Sequence, residues 1–275
     1  MRQLLRALRV MLSFSACVAA AGQTRIVTLG PCATEHLCLL DLEKEIVGLT
    51  LHDRPQRTAG KEIVGTLLEP NIEKIVSLRP DVVVASKEGN RPEIVAKLRA
   101  LGIEVFVMEE FSSFEDICRT FETLGRRFGR EQRAKEIVAA EKRRLEELCR
   151  RFSRQKRPGV FFCLGWRPLI TIGGKTYLDE LLAAAGGRNV FGALGRKYVP
   201  VSIEEVIRRK PDAVIILAMD TGEESAMRDA LRQLSAVASG RTLSVDPFPF
   251  GSPTPRSFVD SVEQLGRFLV ALPRS

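Results

Sequence analysis

A catalytic centre would have few residues to draw on in this chain. Its 275 residues hold two histidines, His36 and His52, both in the first fifth of the sequence. A Ser-His-Asp triad or a zinc hydrolase site is hard to assemble from that supply. There is no G-x-G-x-x-G and no G-x-S-x-G. Gly173-Gly174-Lys175-Thr176 has the tail of a phosphate loop, but Leu169 stands where that loop needs its first glycine. Glu109 and Glu110 are adjacent carboxylates at a strand end, and nothing sets them apart from a solvated pair. Cys32 and His36 share a helical face at a spacing of four, which a metal could use. The plainer account is a small residue at a helix start and an imidazole on the helix surface. The remaining distinctive groups suit binding better than turnover. Trp166, the only tryptophan, follows a strand, and Tyr198, Phe248 and Phe250 lie on expected loops. His52 and Arg54 stand in a polar loop over 51–60. Loops carry recognition residues more often than core.

The elements that must hold these residues come in two matching sets. Asn71 to Val84 and Ser202 to Ile215 share the pattern helix cap, amphipathic helix, Pro-Asp, apolar strand. Pro80-Asp81 aligns with Pro211-Asp212, and the same offset places Glu73 on Glu204. A repeat this long is a duplicated domain rather than a solenoid. Val82 to Ala85 is a continuous apolar run, the pattern of a parallel strand buried on both faces. Strands also fit Arg25–Leu29, Ile46–Thr50, Ile103–Met108, Val160–Leu164, Ala213–Leu217 and Thr242–Val245. Helices fit Glu35–Leu42, Asn71–Leu78, Thr176–Ala185, Ser225–Leu234 and Arg256–Leu272. Capping boxes fit Ser112-x-x-Glu115 and Ser202-x-x-Glu205. Between the two sets, 129–155 is rich in strong helix formers with neither proline nor an internal glycine. Ile137, Leu145, Leu148 and Phe152 give that helix one narrow apolar stripe. The expected fold class is therefore α/β: two similar lobes with mostly parallel sheets, joined by a long helix, with a ligand cleft between them. Ligands gather at the carboxyl ends of such strands. The expected division is a leader over 1–21, a first lobe over 22–128, a connecting helix over 129–157 and a second lobe over 158–275.

The first 21 residues read as a secretory signal. Arg2, Arg6 and Arg9 precede the short apolar run Val10–Ala20, and Ala19-Ala20-Ala21 offers a cleavage site. The rival reading is a lipid anchor on Cys17. The periplasm is the expected location, with a membrane-anchored lipoprotein through Cys17 as the alternative. The net charge of +8 drops to +5 without the three leader arginines, and acids and bases are mixed along the helices. Nucleic acid is not an expected partner. Cys32, Cys38, Cys118, Cys149 and Cys163 are an odd number for an oxidising compartment, so at least one is expected unpaired. Their pairing is open.

Several stretches together resemble one family. They are Thr34-Glu35, Asn71 to Val84, Leu101-Gly102-Ile103, Gly186 to Phe191 and Val201 to Val206. With the order of elements over about 24–272, this is similar to the periplasmic substrate-binding proteins of ABC importers for cobalamin, haem and ferric siderophores, the class with a helical backbone. Ser86 to Asn90 and Gly165 to Pro168 most resemble its cobalamin-binding members.

The resemblance implies a binding protein and no enzyme. It implies docking through Glu73 and Glu204 to a permease dimer with its ATPase. It implies an inter-lobe cleft with a small-molecule ligand held by Trp166, Arg167, Tyr198, Phe248, Phe250, His52, Arg54 and Lys87. No resident cofactor or metal is implied; the ligand is itself a metal chelate, a corrinoid first and haem or a ferric siderophore as alternatives. Contact with the membrane is implied only through the permease, or through lipid on Cys17. Leu67 departs from the pattern, since an aromatic is expected there. From other classes, the competing expectations are a secreted metal-dependent hydrolase, a metal-chelate chaperone, or a metal-chelate binder using His52, His36 and Cys32. Little hinge motion is expected, because a helical spine resists it.

Overall fold

The computed structural model describes residues 24–153, 157–218 and 221–273. The leader, with Arg2, Arg6, Arg9 and Cys17, lies outside them. The first lobe runs β1 (Ile26–Thr28), α1 (Pro31–Leu39), β2 (Ile46–Leu49), α2 (Pro55–Thr58) and β3 (Glu62–Ile63). It continues through α3 (Ile72–Ser77), β4 (Val82–Ser86), α4 (Pro92–Ala100), β5 (Glu104–Met108) and α5 (Phe114–Arg127). Its five strands are parallel, in the order β3-β2-β1-β4-β5. Val82, Val83, Val84 and Ala85 are completely buried in this sheet. Branched side chains covered on both faces explain that unbroken apolar run.

Helix α6 (Glu131–Phe152) follows, shorter than the expected 129–155. Gly129 adopts φ +67, which an α-helix does not admit, and Arg130 is the cap. At 1.5 Å per residue α6 is about 33 Å long. It buries Ala134, Ile137, Val138, Glu141, Leu148 and Phe152, with Leu145 packed at the edge.

The second lobe begins with β6 (Gly159–Cys163), β7 (Gly165–Trp166), β8 (Leu169–Ile172), α7 (Tyr177–Ala184), β9 (Arg188–Asn189) and β10 (Tyr198–Pro200). It ends with α8 (Ile203–Arg209), β11 (Ala213–Leu217), α9 (Thr221–Ala230), α10 (Ser235–Ala238), β12 (Thr242–Val245), α11 (Pro247–Gly251) and α12 (Pro255–Val270). Its main sheet is parallel, in the order β12-β11-β6-β9. A small antiparallel sheet, β10-β8-β7, was not expected. The fold is thus α/β with two lobes built on parallel sheets.

The repeat has a structural cause. The Asp81 carboxylate accepts from the Arg25 amide at 2.7 Å, and the Asp212 carboxylate accepts from the Gly159 amide at 2.6 Å. Each aspartate therefore ties the strand it precedes to the start of the neighbouring parallel strand. The residues before the Pro-Asp pairs, Arg79 and Lys210, both take left-handed backbone, at φ 46 and 47. Asn71 and Ser202 cap α3 and α8 through their side chains.

Local chemistry moves several boundaries. The capping box of α5 is Ser113 with Asp116, not Ser112 with Glu115: Ser113 Oγ accepts from the Asp116 amide, and Asp116 accepts from the amides of Ser112 and Ser113. At α8 only half of the expected box forms, because Glu205 turns to Arg208 and Arg209. The helix expected over Ser225–Leu234 is α9, which starts and ends earlier, at Thr221 and Ala230, and α10 follows as a separate turn. The expected loop over 247–255 contains α11, started by Pro247 and capped by Asp246.

One hydrophobic core crosses both lobes. It takes Ile26, Leu37 and Val82 from the first, Phe121 and Phe152 from α5 and α6, and Val160, Leu181, Ile215 and Phe258 from the second. Among the described residues, no helix is long and apolar enough to cross a membrane.

Candidate ligand-binding cleft

Chain order and spatial order disagree at one place in each parallel sheet. In the first lobe the connections reverse direction between β1 and β4, and in the second between β6 and β11. A crevice must open at the carboxyl ends of strands at such points, because the following loops diverge. A cavity of about 360 Å³ opens there, between the lobes. Leu29 and Gly30 follow β1, Ser86 ends β4, Met108 ends β5 and Leu217 ends β11, and all line it. Cys32 and Ala33 from α1, and Pro247, Phe248 and Gly251 from α11, complete opposite walls. Its size is within the range of small-molecule sites, and its lining is mostly apolar.

Hydrogen bonds fix this lining. The Asn90 side-chain amide donates to the carbonyls of Leu29 and Leu67, each at 2.9 Å, and its oxygen accepts from the Ser86 amide at 2.8 Å. One buried residue thus ties three wall segments. Leu67 fits against Gly30, at φ +146, where a Cβ would meet its Cδ2 at 2.5 Å. His52 stands in the turn closed by Asp53, whose carboxylate accepts from the Thr50 amide and hydroxyl at 2.9 and 2.8 Å. Burial raises the Asp53 carboxyl above its usual range. The Nδ1 of His52 is buried without a partner.

Phe248 faces His52's lobe from the other side. Its ring lies under the Arg54 guanidinium at 4.4 Å, and Arg54 also bonds Asp246 at 2.9 Å. Tyr198 Oη donates to Glu88 at 3.0 Å, and Lys197 pairs with Glu110 at 2.8 Å. These contacts join the lobes around the mouth. Burial, then the charge of Glu110, raise the Glu88 carboxyl, against the Tyr198 hydrogen bond and the Lys197 charge.

The family model for periplasmic binding proteins matches residues 26–247, most of the chain. The chain belongs to the periplasmic binding protein family. The crystal structure of the periplasmic vitamin B12 binding protein BtuF of Vibrio cholerae superposes with a TM-score of 0.77 at 27% identity, over 91% of this chain and 98% of that one. The periplasmic heme-binding protein RhuT from Roseiflexus sp. RS-1, in apo form, gives 0.80 at 27% identity, over 92% and 100%. The ABC transporter substrate-binding lipoprotein YvrC of Bacillus subtilis (strain 168) is 28% identical over 248 residues, 88% of this chain and 78% of that one.

The binding protein places its sequence-expected residues unevenly. His52 and Phe248 line the cavity. Arg54 braces Phe248, Tyr198 holds Glu88 at the rim, and Lys87 is paired with Glu109 at 2.6 Å. Trp166 and Arg167 are not in the lining; the guanidinium of Arg167 stacks 3.9 Å above the Trp166 ring, and Trp166 packs on the second lobe's outer core. Phe250 is corrected: it is completely buried, and a core ring offers a ligand no surface. Its carbonyl accepts from Tyr177 Oη at 2.7 Å. His36 is also a core residue, stacked on Phe111, with Nδ1 bonded to the Cys32 carbonyl at 2.9 Å. The surface imidazole expected for it is corrected too. Sequence reasoning missed Phe111, and it picked out the Ser86–Asn90 stretch without assigning roles to Glu88 or Asn90 within it. Glu73 and Glu204 are both exposed on the outer helices α3 and α8. The amide of Glu204 itself and the Ser202 hydroxyl hold the Glu204 carboxyl below its usual range. Cys32, Cys38, Cys118, Cys149 and Cys163 are all free thiols. Burial pushes Cys38, Cys118 and Cys163 up to about 12, so they are inert rather than reactive.

Proposed function

We propose that this periplasmic binding protein captures a corrinoid in the cleft between its lobes and hands it to an ABC importer. The supporting observation is the mostly apolar cavity at the two switch points, walled by Phe248 and Leu217 on one side and by Leu29, Leu67 and Phe111 on the other. Apolar walls suit the faces of a flat macrocycle, and the few polar groups at the rim orient its edge. The vitamin B12-binding relative supports the corrinoid. Haem is the second reading, favoured by the RhuT likeness and by His52, whose imidazole faces the cavity region and could reach a chelated metal. The protein is a carrier and turns over no substrate. Glu73 and Glu204, one on each lobe, dock on a permease dimer. The lipoprotein relative supports, as an alternative to a free periplasmic protein, an anchor on Cys17.

Calorimetric titration with cyanocobalamin and cobinamide tests the reading. Saturable one-to-one binding of either is expected. Silence with both, against clear binding of haemin, would overturn the corrinoid in favour of the second reading.

A further inference from the structure

The cleft has a charge character that its shape does not require. Its lining includes two carboxylates, Glu88 and Glu109, and neither lysine nor arginine. Four cations near the lining, Lys87, Lys197, Arg54 and Arg57, have acidic partners. Lys87 holds Glu109 at 2.6 Å, and Lys197 holds Glu110 at 2.8 Å. Arg54 lies between Asp246 at 2.9 Å and Glu35 at 3.7 Å, and Arg57 reaches Glu35 and Glu43. Of the two arginines expected to hold the ligand, Arg167 is stacked on Trp166 instead.

A ligand bearing carboxylates or catecholates would bring its charge against Glu88 and Glu109 at the exposed rim of a mostly apolar cleft. Like charges facing each other across a binding interface are disfavoured, and at an exposed rim that repulsion is strongest at low ionic strength. To recruit Lys87 or Arg54 it would have to break an ion pair, leaving Glu109 or Asp246 uncompensated. A ligand with neutral amides along its edge meets no such conflict. Amide N–H groups can donate to the Glu88 oxygen that Tyr198 leaves free, since Tyr198 engages Oε1.

We infer that the cleft selects its ligand by charge, accepting neutral or cationic flat chelates and rejecting anionic ones, with Glu88 and Glu109 as the residues that discriminate. This rests on the reading of the chain as a macrocycle-binding protein. It names the class of macrocycle: one whose periphery is amide or ester, not carboxylate.

The test separates charge from ring shape. Haemin and haemin dimethyl ester share one ring and differ in two carboxylates. Their dissociation constants are measured on the mature chain by absorbance titration at neutral pH, beside that of cobinamide. The ester is expected to bind at least tenfold more tightly than haemin. In the Glu88→Gln, Glu109→Gln double variant that ratio is expected to shrink toward one, because two repulsive charges are gone and Lys87 is released. Haemin binding as well as its ester, or an unchanged ratio in the variant, would overturn the inference. So would failure of all three probes to bind, since the cleft must then reject neutral chelates too. Cobinamide failing alone, with the ester still ahead of haemin, would remove the corrinoid and leave charge selection standing.

Discussion

Asn90 shapes the cleft without presenting an apolar side chain to it. Its three hydrogen bonds hold the ends of β1 and β4 and the loop carrying Leu67. Asn90→Ala leaves two carbonyls and an amide without their partner, at about 1–3 kcal/mol for buried groups. Both the urea midpoint and ligand affinity are expected to fall; unchanged affinity in a destabilised variant would limit Asn90 to a structural role. His36 sets a pH limit on stability. Burial against Phe111 and Phe121 lowers its imidazole from 6.5 to about 4. Above 6.5 neither the folded nor the unfolded chain protonates it. Between 6.5 and about 4 only the unfolded chain does, so stability falls through that window as pH drops, by about 3 kcal/mol in all. His36→Phe should flatten that part of the pH–stability curve relative to wild type, and an identical slope would contradict the assignment. His52 and Phe248 were readable because each stands in a short polar or aromatic loop next to a strand end. Phe250, two residues from Phe248, was not separable from it. Both are loop phenylalanines in sequence, and only the turn of α11 sends one to the cleft and the other to the core.

The strands and the spine were legible for physical reasons that differ. Val82–Ala85 announces itself because a strand covered on both faces needs no polar positions. The Pro-Asp pairs announce themselves because both aspartates perform one task, holding the neighbouring strand's first amide. The β10-β8-β7 sheet was hidden. Its strands are two to four residues long, Pro168 interrupts them, and none alternates polar with apolar. At the spine, α12 approaches α6 so closely that a Cβ on Gly266 would collide with the Phe152 ring. Gly266→Ala is expected to cost about 1–3 kcal/mol by overpacking, seen as a lower urea midpoint. A midpoint equal to wild type would mean the two helices can separate freely.

At the level of the molecule, the two lobes are expected to move little against each other. They share a core, and polar ties reinforce it: Glu180 accepts from the Phe114 amide at 2.8 Å, and Arg256 meets the buried Glu141 at 3.2 Å. Small-angle scattering with and without saturating ligand is expected to show the same radius of gyration within error. A clear contraction would contradict the shared core as a brake on closure. The proposed docking on a permease dimer would need both lobes at once. Glu73→Arg with Glu204→Arg should abolish uptake in cells while ligand affinity stays at the wild-type value; normal uptake would remove these glutamates from the interface.

A competition between the two macrocycles tests the corrinoid reading. The purified mature chain is dialysed to equilibrium against equimolar cobinamide and haemin, and the retained ligand is identified by its absorbance spectrum. A cobinamide spectrum with haemin as a minor fraction is expected. A haem spectrum on the protein would contradict it, because a cleft with Glu88 and Glu109 in its lining would then be accepting a dicarboxylate in preference to an amide-bearing macrocycle.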